Sequence, residues 1–481
     1  MKRKQSGLNR TFAVKPLAAC VATFVLAATA GASDPVHALD AVQTPLRRAR
    51  SSLFSLAAIP HAASTDGLGR AARLMRPVVG KAPSSVASVP VTNCADDGSG
   101  GTLREAVATA VDGSTIDMSA LACSSITLAM GEIDIVVNNL TLLGRADGSL
   151  IIDASHASPV IAHTGSGTLT INHLVFRNGR RSVGTDTEQL GGCIYSTADV
   201  VLDHSTLSSC WVGTQFIPGF GAGVLALGGI TLTDSTVTLG FASGDGGGVM
   251  SVNGDVQITR STLSYNGCAG KGGGVFSQYG NLVITSSTVS GNGAATKGGG
   301  LYAFYGSTSV SNSTISGNSA VVQGGGIQAF YALSLRNSTV ALNSAGGGGG
   351  VYLAHDAPDI VSSIVSNNTV NGSAHAADIG AFAALTITGS HNVIATSDAT
   401  TPGDTLTNEP QLQGLADWGG PTKTHGMFSM SVAVDAGLNP DALTDDQRGS
   451  GFVRAFGAAT DIGAFEIQAP ANDLLFKNGF D

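Results

Sequence analysis

The sequence predicts an all-β protein whose central body is a right-handed parallel β-helix with a short N-terminal capping helix. Three residue markers recur together with a drifting period of about 26 residues: Gly-Gly-Gly before an aliphatic residue, a Ser usually before Thr, and an Asn. Three markers that drift in step indicate a repeat architecture. The aliphatic marker is Ile194, Val224, Val249, Val275, Leu301, Ile327 and Val351; the serine marker is Ser235, Ser261, Ser287, Ser313 and Ser338; the asparagine marker is Asn266, Asn292, Asn318, Asn343 and Asn367.

One repeat unit, residues 272–297, shows why these markers indicate a coil. Its alternating runs are three or four residues long, which is typical of short strands and not of helices. Gly and Asn between the runs supply corners with positive φ. We therefore expect three strands and three corners per coil, with coils ~4.8 Å apart, aliphatic columns inside and an Asn ladder. A propeller or sandwich needs longer strands, and the six-residue period of a left-handed β-helix is absent from the sequence.

The two ends of the chain differ from the repeats. A basic start followed by the apolar run Leu17–Ala30 predicts a signal peptide; the alternative, an uncleaved anchor, has a run shorter than the ~20 residues that span a bilayer. The stretch Gly101–Val111 predicts an amphipathic capping helix with Leu103, Val107 and Val111 on its buried face. The predicted organisation is a signal peptide at 1–32, a flexible linker at 33–92, the β-helix with its N-terminal cap at 93–400, a C-terminal capping region at 401–468 and a tail at 469–481.

Charge and cysteine content predict the compartment. Residues 1–81 hold 12 Lys and Arg against 3 Asp and Glu, whereas the remaining residues hold 13 against 31. A folded part with net charge −18 argues against nucleic acid and anionic membranes as partners. Export would favour disulfides, and Cys94 with Cys123 is the expected pair because both flank one short segment. The sequence cannot pair Cys193, Cys210 and Cys268, and it predicts no transmembrane segment in the mature chain.

Several motifs resemble those of secreted bacterial β-helix proteins. Thr102–Ala106 is similar to the CSLREA segment of that family, although Cys94 lies upstream of the motif and not beside it. The repeats resemble those of polymorphic outer-membrane proteins. The motifs similar to a choice-of-anchor C-terminal region are Glu409–Leu412, Leu415–His425, Val434–Gly437, Thr444–Gly449 and Asp461–Glu466. The resemblance implies export to the cell surface or the medium, with the periplasm as an alternative, and it implies no activity.

One row of side chains is a candidate for catalysis. His204, Asp234 and Arg260 each precede a serine-marker position, so they should stack in successive coils and could exchange protons. The alternative is an exposed salt-bridged column at a corner. The outward positions after each Gly-Gly-Gly carry no acidic residue, and the histidines lack metal-ligand spacing. We therefore predict no metal and no cofactor.

A concentration of aromatic residues is the stronger functional signal. Of 26 aromatic residues in the chain, eight fall in three columns on one face of four coils. Stacked rings could form a platform for a polysaccharide or a surface protein, and the alternative is that the face is buried by the chain itself. The predicted ligand-binding residues are Phe276, Tyr302 and Tyr352 in one column, Phe304 and Phe330 in the next, and Tyr279, Tyr305 and Tyr331 in the third.

These features predict an exported, non-enzymatic, adhesin-like protein that binds a glycan or a protein through the aromatic face. Many right-handed parallel β-helices are pectate-lyase-like enzymes, so a polysaccharide lyase or glycoside hydrolase is the alternative function. A passive structural rod on the cell surface is a further alternative.

Overall fold

The computed structural model describes residues 88–182, 189–372 and 374–468. The predicted signal peptide, most of the predicted linker and the tail lie outside these residues. The described chain forms the predicted right-handed parallel β-helix, and its largest sheet has 12 strands, one for each coil. Within these ranges no helix has both the length and the apolar character that a bilayer span requires.

A full coil contains four strands, one more than predicted. In one coil the strands are Val249–Ser251, Val256–Thr259, Thr262–Ser264 and Gly267–Cys268. We number the four sheets 1 to 4 in this order. The strands of sheet 4 are two residues long, too short for an alternating pattern to show in the sequence.

The strands are parallel within each of the four sheets. Sheet 1 contains Ile133–Ile135, Ile161–His163, Ile194–Ser196, Val224–Ala226, Val249–Ser251, Val275–Ser277, Leu301–Ala303, Ile327–Ala329, Val351–Leu353 and Ile379–Ala381. Sheet 2 contains Ser88–Pro90, Ser114–Asp117, Leu140–Leu143, Thr168–Asn172, Asp199–Asp203, Ile230–Thr233, Val256–Thr259, Leu282–Thr285, Thr308–Ser311, Leu333–Arg336, Asp359–Val361 and Thr388–Ser390.

The other two large sheets complete the coil. Sheet 3 contains Ser125–Thr127, Ile151–Asp153, Val175–Arg177, Thr206–Ser208, Thr236–Thr238, Thr262–Ser264, Thr288–Ser290, Thr314–Ser316, Thr339–Ala341, Ile364–Ser366 and Val393–Ile394. Sheet 4 contains Arg180–Arg181, Trp211–Val212, Phe241–Ala242, Gly267–Cys268, Gly293–Ala294, Ser319–Ala320, Ser344–Ala345 and Thr369–Val370. A parallel pair joins Gln189–Leu190 to Gly219–Phe220, and an antiparallel pair joins Leu412–Ala416 to Thr424–Met427.

Equivalent residues of successive coils lie directly beside one another, as predicted. Val249 pairs with Val275, and Val275 pairs with Leu301. All three side chains are fully buried and belong to one continuous core inside the coils. The Gly triplets permit this close stacking, because a Cβ on Gly273 would lie 2.5 Å from the carbonyl oxygen of Gly299 in the next coil.

The predicted asparagine ladder is present inside the corner between sheets 3 and 4. Asn318 Nδ2 donates to Asn343 Oδ1 at 2.9 Å and to the carbonyl oxygen of Val289 at 2.9 Å. In turn, the backbone N–H and the Nδ2 of Asn292 both donate to Asn318 Oδ1. Every ladder amide is buried, so these hydrogen bonds replace those that water would make.

The end of the ladder differs from the prediction by one residue. Asn368, and not Asn367, accepts the hydrogen bonds from Asn343. Asn367 takes the left-handed corner conformation, with φ of 61°, a conformation that Asn tolerates well. Asp378 follows Asn368 as the last acceptor, and its Oδ1 receives both the backbone N–H and the Nδ2 of Asn368.

The N-terminal cap is a one-and-a-half-turn helix, Leu103–Ala108. Thr102 caps it by accepting a hydrogen bond from the backbone N–H of Glu105. Leu103 and Val107 are buried as predicted, but Val111 is 61% exposed because the helix ends three residues earlier. The prediction for Val111 is therefore wrong. The β-helix also begins earlier than predicted, since Ser88–Pro90 is already the first strand of sheet 2.

An ion pair ties the N-terminal capping helix to the neighbouring chain. Arg104 binds the nearly buried carboxylate of Asp96 at 2.8 Å, and Asp96 also accepts two backbone N–H groups from a neighbouring turn.

The structure joins Cys94 to Cys123, which confirms the predicted pair, and it joins Cys193 to Cys210. Cys268 is a free and buried thiol, and burial raises its pKa.

The C-terminal region begins over the end of the coils, as predicted, where Leu406 pairs with Val393 of the last coil, but most of it packs on the side of the coils. It lies on the outward face of the later strands of sheet 3. Thr424 hydrogen-bonds to Thr314 at 2.9 Å, and His425 Nε2 hydrogen-bonds to Ser316 at 2.8 Å. The outward side chains of these sheet 3 strands are buried in consequence.

Charged groups are buried within this C-terminal region. Arg448 binds Asp446 at 2.6 Å with both side chains almost inaccessible. Arg454 is fully buried and donates to the carbonyl oxygen of Asp461 at 2.6 Å. Glu466 accepts backbone N–H groups with both carboxylate oxygens. Burial, and then the neighbouring carboxylate of Asp461, raise the pKa of Glu466 to about 7.

Glu466 predicts a specific dependence of stability on pH. A carboxyl group with a raised pKa in the folded state stabilises fully below its ordinary pKa and loses that contribution as the pH rises through about 7. We expect Glu466→Gln, compared with the parent protein, to become relatively more stable by roughly 3 kcal/mol between pH 4.5 and 8. Denaturant unfolding of both proteins across this range measures the difference.

Comparing the free energies of unfolding of the two proteins at each pH cancels the contributions of groups that titrate in both. His425 is such a group: burial lowers its pKa, so its effect on stability has the opposite sign. A stability difference between Glu466→Gln and the parent that stays constant with pH would contradict the raised pKa of Glu466.

Candidate functional site: an exposed tyrosine ridge

Three of the eight predicted ligand-binding residues are buried. Phe276, Tyr302 and Tyr352 point outward from sheet 1, but each is 4% exposed or less. Phe276 and Tyr302 pack with Met250 and neighbouring apolar side chains in a second core outside the coil, and the Lys271 ammonium lies 5.3 Å from the Tyr302 ring centroid. The prediction that this column contacts a ligand is therefore wrong, and the alternative of self-burial describes it.

The third column remains accessible. Tyr279, Tyr305, Tyr331 and His355 occupy the corner between sheets 1 and 2 in four successive coils, and we call this row the tyrosine ridge. Its ring centroids are 5.1, 6.3 and 5.8 Å apart in that order. Tyr279 is 39% exposed and Tyr305 is 48% exposed. The ridge therefore extends along the helix axis as one solvent-facing aromatic surface.

The middle column supports the ridge from one side. Phe304 and Phe330 are half-buried, and their ring centroids are 5.1 Å apart. Phe304 lies 4.3 Å from Tyr305, and Phe330 lies 4.8 Å from His355. These contacts hold the ridge rings from one side.

Sequence reasoning missed two members of these columns. His355 follows Tyr331 by 24 residues, the same interval that separates Ile327 from Val351, so the repeat register could have placed it in the ridge. Phe382, which is 77% exposed, occupies the position of Phe304 and Phe330 in a later coil. His355 does not stand out because it is neither Phe nor Tyr, and Phe382 does not stand out because no Gly triplet precedes the sheet 1 strand of its coil.

Ring orientation determines what the ridge can bind. The Tyr279 and Tyr305 rings are within 7° of parallel, so neighbouring rings cover each other's faces along the row. The ridge consequently presents ring edges and phenol oxygens, and not the flat platform that we predicted. The hydroxyl groups of Tyr279, Tyr305 and Tyr331 form no hydrogen bond with any other described residue. They can therefore donate to and accept from a ligand.

His204, Asp234 and Arg260 lie together in successive coils, as predicted. They occupy left-handed positions at the corner between sheets 2 and 3, with φ between 45° and 47°. Arg260 binds both oxygens of Asp234 at 2.6 and 2.8 Å. His204 Nδ1 lies 2.8 Å from Asp203 Oδ1, and His204 Nε2 lies 3.8 Å from Asp234 Oδ2. Sheet 2 separates this row from the tyrosine ridge.

The electrostatics of this row favour an ion-pair column over acid–base catalysis. Hydrogen bonds from Arg260 hold the pKa of Asp234 below its ordinary value, and Asp234 raises the pKa of Arg260. Asp234 therefore stays ionised and Arg260 stays protonated near neutral pH, whereas a lyase base needs a lowered pKa. Asp203, His204 and Asp234 offer ligand atoms within 4.8 Å of one another, but Arg260 already occupies both Asp234 oxygens.

Comparison with known proteins identifies neither a family nor an activity for this chain. No family model and no curated protein matches the chain, so the resemblance to CSLREA and choice-of-anchor proteins remains a prediction. Among solved structures, the chain is similar to pectate lyase Pel9A, at 14% identity and a TM-score of 0.46 over 79% of this chain and 97% of that chain. It is also similar to the PL6 family alginate lyase AlyGC, at 12% identity and a TM-score of 0.28 over 80% of this chain and 59% of that chain.

Proposed function

We propose that this protein is a non-enzymatic binding protein of the cell exterior and that its tyrosine ridge holds an extended polysaccharide chain. The observation that carries the proposal is the solvent-facing row of Tyr279, Tyr305, Tyr331 and His355, which continues through four coils with centroid spacings of 5.1 to 6.3 Å. A linear polymer fits such a row, because its successive units can contact successive rings.

The chemistry of the ridge supports a sugar polymer. Ring edges give apolar contact, and the three phenol hydroxyls can each donate and accept a hydrogen bond, as sugar hydroxyls require. The outward sheet 1 column beside the ridge, Met250, Phe276, Tyr302, Gln328 and Tyr352, contains no carboxylate. A glycosidase would need two carboxyl groups facing one sugar. The arrangement therefore favours binding over cleavage.

Two observations support a location outside the cytoplasm. The disulfides Cys94–Cys123 and Cys193–Cys210 are typical of oxidising compartments. The basic and apolar residues at the start of the sequence fit a secretory signal, although they lie outside the described residues. An adhesin-like role at the cell surface or in the medium follows from export combined with polysaccharide binding.

Retention on immobilised polysaccharides tests the proposal. We expect the parent protein to be retained by at least one polysaccharide of a panel of neutral and acidic polymers. Tyr305→Ala combined with Tyr331→Ala should weaken retention at least tenfold, because it removes two adjacent rings and their hydroxyls from the middle of the row. Val321→Ala is the matched control, since Val321 is also an exposed apolar side chain but lies away from the ridge.

The same incubation separates binding from catalysis. Retention of the double variant equal to that of the parent would refute the ridge as the binding surface. New reducing or unsaturated ends in the polysaccharide would instead establish the alternative function, a polysaccharide lyase or glycoside hydrolase. Lack of retention on every polymer would favour a protein partner or a passive rod.

A further inference from the structure

A concave surface lies at a different corner of the coil from the ridge. A cleft of about 260 Å³ opens where the C-terminal region meets the outward face of sheet 3. Thr262, Ser264 and Tyr265 line it on the side of the coils, and Asp417 and Lys423 line it on the side of the C-terminal region. Ligand pockets for drug-sized molecules measure about 300–1,000 Å³, so this cleft suits something smaller.

The floor of the cleft continues into a strip of hydroxyl groups. In three successive strands of sheet 3 the two outward residues are Thr or Ser, and all six are half-exposed. In the next strand, Thr288 and Ser290 are buried where the C-terminal region covers sheet 3. The strip is formed by Thr206, Ser208, Thr236, Thr238, Thr262 and Ser264. The C-terminal region therefore forms a wall at which the hydroxyl strip ends.

Tyr265 adds an aromatic surface beside these hydroxyls. Its side chain is 56% exposed, and its ring lies against Gly291 of the next coil. A Cβ at position 291 would lie 2.8 Å from Tyr265 Cε1, so Gly291 leaves the room that the ring occupies. The phenol hydroxyl has no hydrogen-bond partner among the described residues.

We propose that this cleft binds a neutral saccharide of one or two rings, with one sugar face on the Tyr265 ring. Sugars require an apolar contact together with groups that both donate and accept hydrogen bonds, and the Thr and Ser hydroxyls provide the latter. Asp417 and Lys423 add one negative and one positive charge, so the cleft as a whole is neutral. This favours an uncharged sugar over a uronate in a chain whose residues after 81 carry net charge −18.

The proposal does not depend on the tyrosine ridge, and short ligands separate the two sites. A disaccharide is too short to follow four coils of the ridge but fits the cleft. Titration calorimetry with cellobiose, maltose, lactose and mannobiose should detect binding of at least one of them at millimolar concentration. Tyr265→Ala should weaken that binding about tenfold, whereas Tyr265→Phe should retain most of it.

Two further variants show whether the disaccharide binds in the cleft or on the ridge. Ser264→Trp fills the cleft from its floor and should abolish disaccharide binding, while Tyr305→Ala on the ridge should leave it unchanged. The thermal unfolding midpoint of each variant checks that the fold is intact. Binding of none of the four disaccharides would overturn the proposal, as would unchanged binding by both Tyr265→Ala and Ser264→Trp. Equal weakening by Tyr305→Ala would also overturn it, because the sugar would then lie on the ridge.

Discussion

Replacing Asn318 with Leu should lower the free energy of unfolding by roughly 2–6 kcal/mol. The substitution removes the acceptor of the backbone N–H of Asn292 and the donor to the carbonyl oxygen of Val289, both in the interior of the ladder. Each buried backbone group left without a partner costs about 1–3 kcal/mol. Leu has the same number of side-chain heavy atoms as Asn and branches at the same carbon, so the substitution removes the hydrogen bonds without leaving a cavity.

The control for this prediction is an asparagine outside the ladder. Asn371 is exposed, so Asn371→Ala should change the free energy of unfolding by less than about 0.5 kcal/mol. Urea unfolding followed by circular dichroism measures both variants. If Asn318→Leu were no more destabilising than Asn371→Ala, the ladder would contribute nothing measurable to stability.

Tyr302→Ala should destabilise the protein by roughly 3–5 kcal/mol, the range for removing a large buried aromatic side chain. Tyr302 is 2% exposed, and its ring lies 5.3 Å from that of Phe276 in the second core. Truncation would leave a cavity in this second core, beside the ring of Phe276. The effect should therefore be comparable to that of a mutation inside the coil.

Tyr305 provides the matched comparison, because it is the same residue type in the same coil. It is 48% exposed, so Tyr305→Ala should cost no more than about 1 kcal/mol. Denaturant midpoints of the two variants measure the contrast. Equal losses would show that the two columns do not differ in burial, and the assignment of the ridge as the accessible surface would fail.

The repeats could be predicted because each marker performs a separate physical task. The aliphatic residue at Val275 fills the interior, Asn292 hydrogen-bonds between coils, and the Gly triplet allows backbones to approach. The choice between Asn367 and Asn368 could not be made from the sequence, since adjacent asparagines fit both the corner and the ladder. Only the backbone conformation decides which amide points inward.

The C-terminal region could not be placed from its sequence. Its packing depends on pairs such as Thr314 with Thr424, which are 110 residues apart and carry no repeat signal. Thr288, Thr314 and Thr339 occupy the same outward position as the half-exposed Thr262 of an earlier coil. Their residue type therefore gave no sign that they would be covered.

For the candidate site, the periodicity of the sequence predicts which way a side chain points but not whether it is exposed. Alternation predicts that Tyr302 and Phe304 point away from the interior, and both do, but it does not predict whether another part of the chain covers them. The sequence also carries no information on ring tilt. Because the rings stack along the coil axis, they present edges and hydroxyls to solvent, and not the platform of ring faces that we predicted.

Footprinting of tyrosines by hydroxyl radicals, with and without the retained polysaccharide, tests the central claim most directly. The claim is that the tyrosine ridge contacts the polymer while the adjacent column stays buried. We predict that oxidation of Tyr279, Tyr305 and Tyr331 falls when the polysaccharide is bound, and that Tyr302 and Tyr352 remain almost unmodified in both samples. Unchanged oxidation of the three ridge tyrosines on binding would contradict the claim.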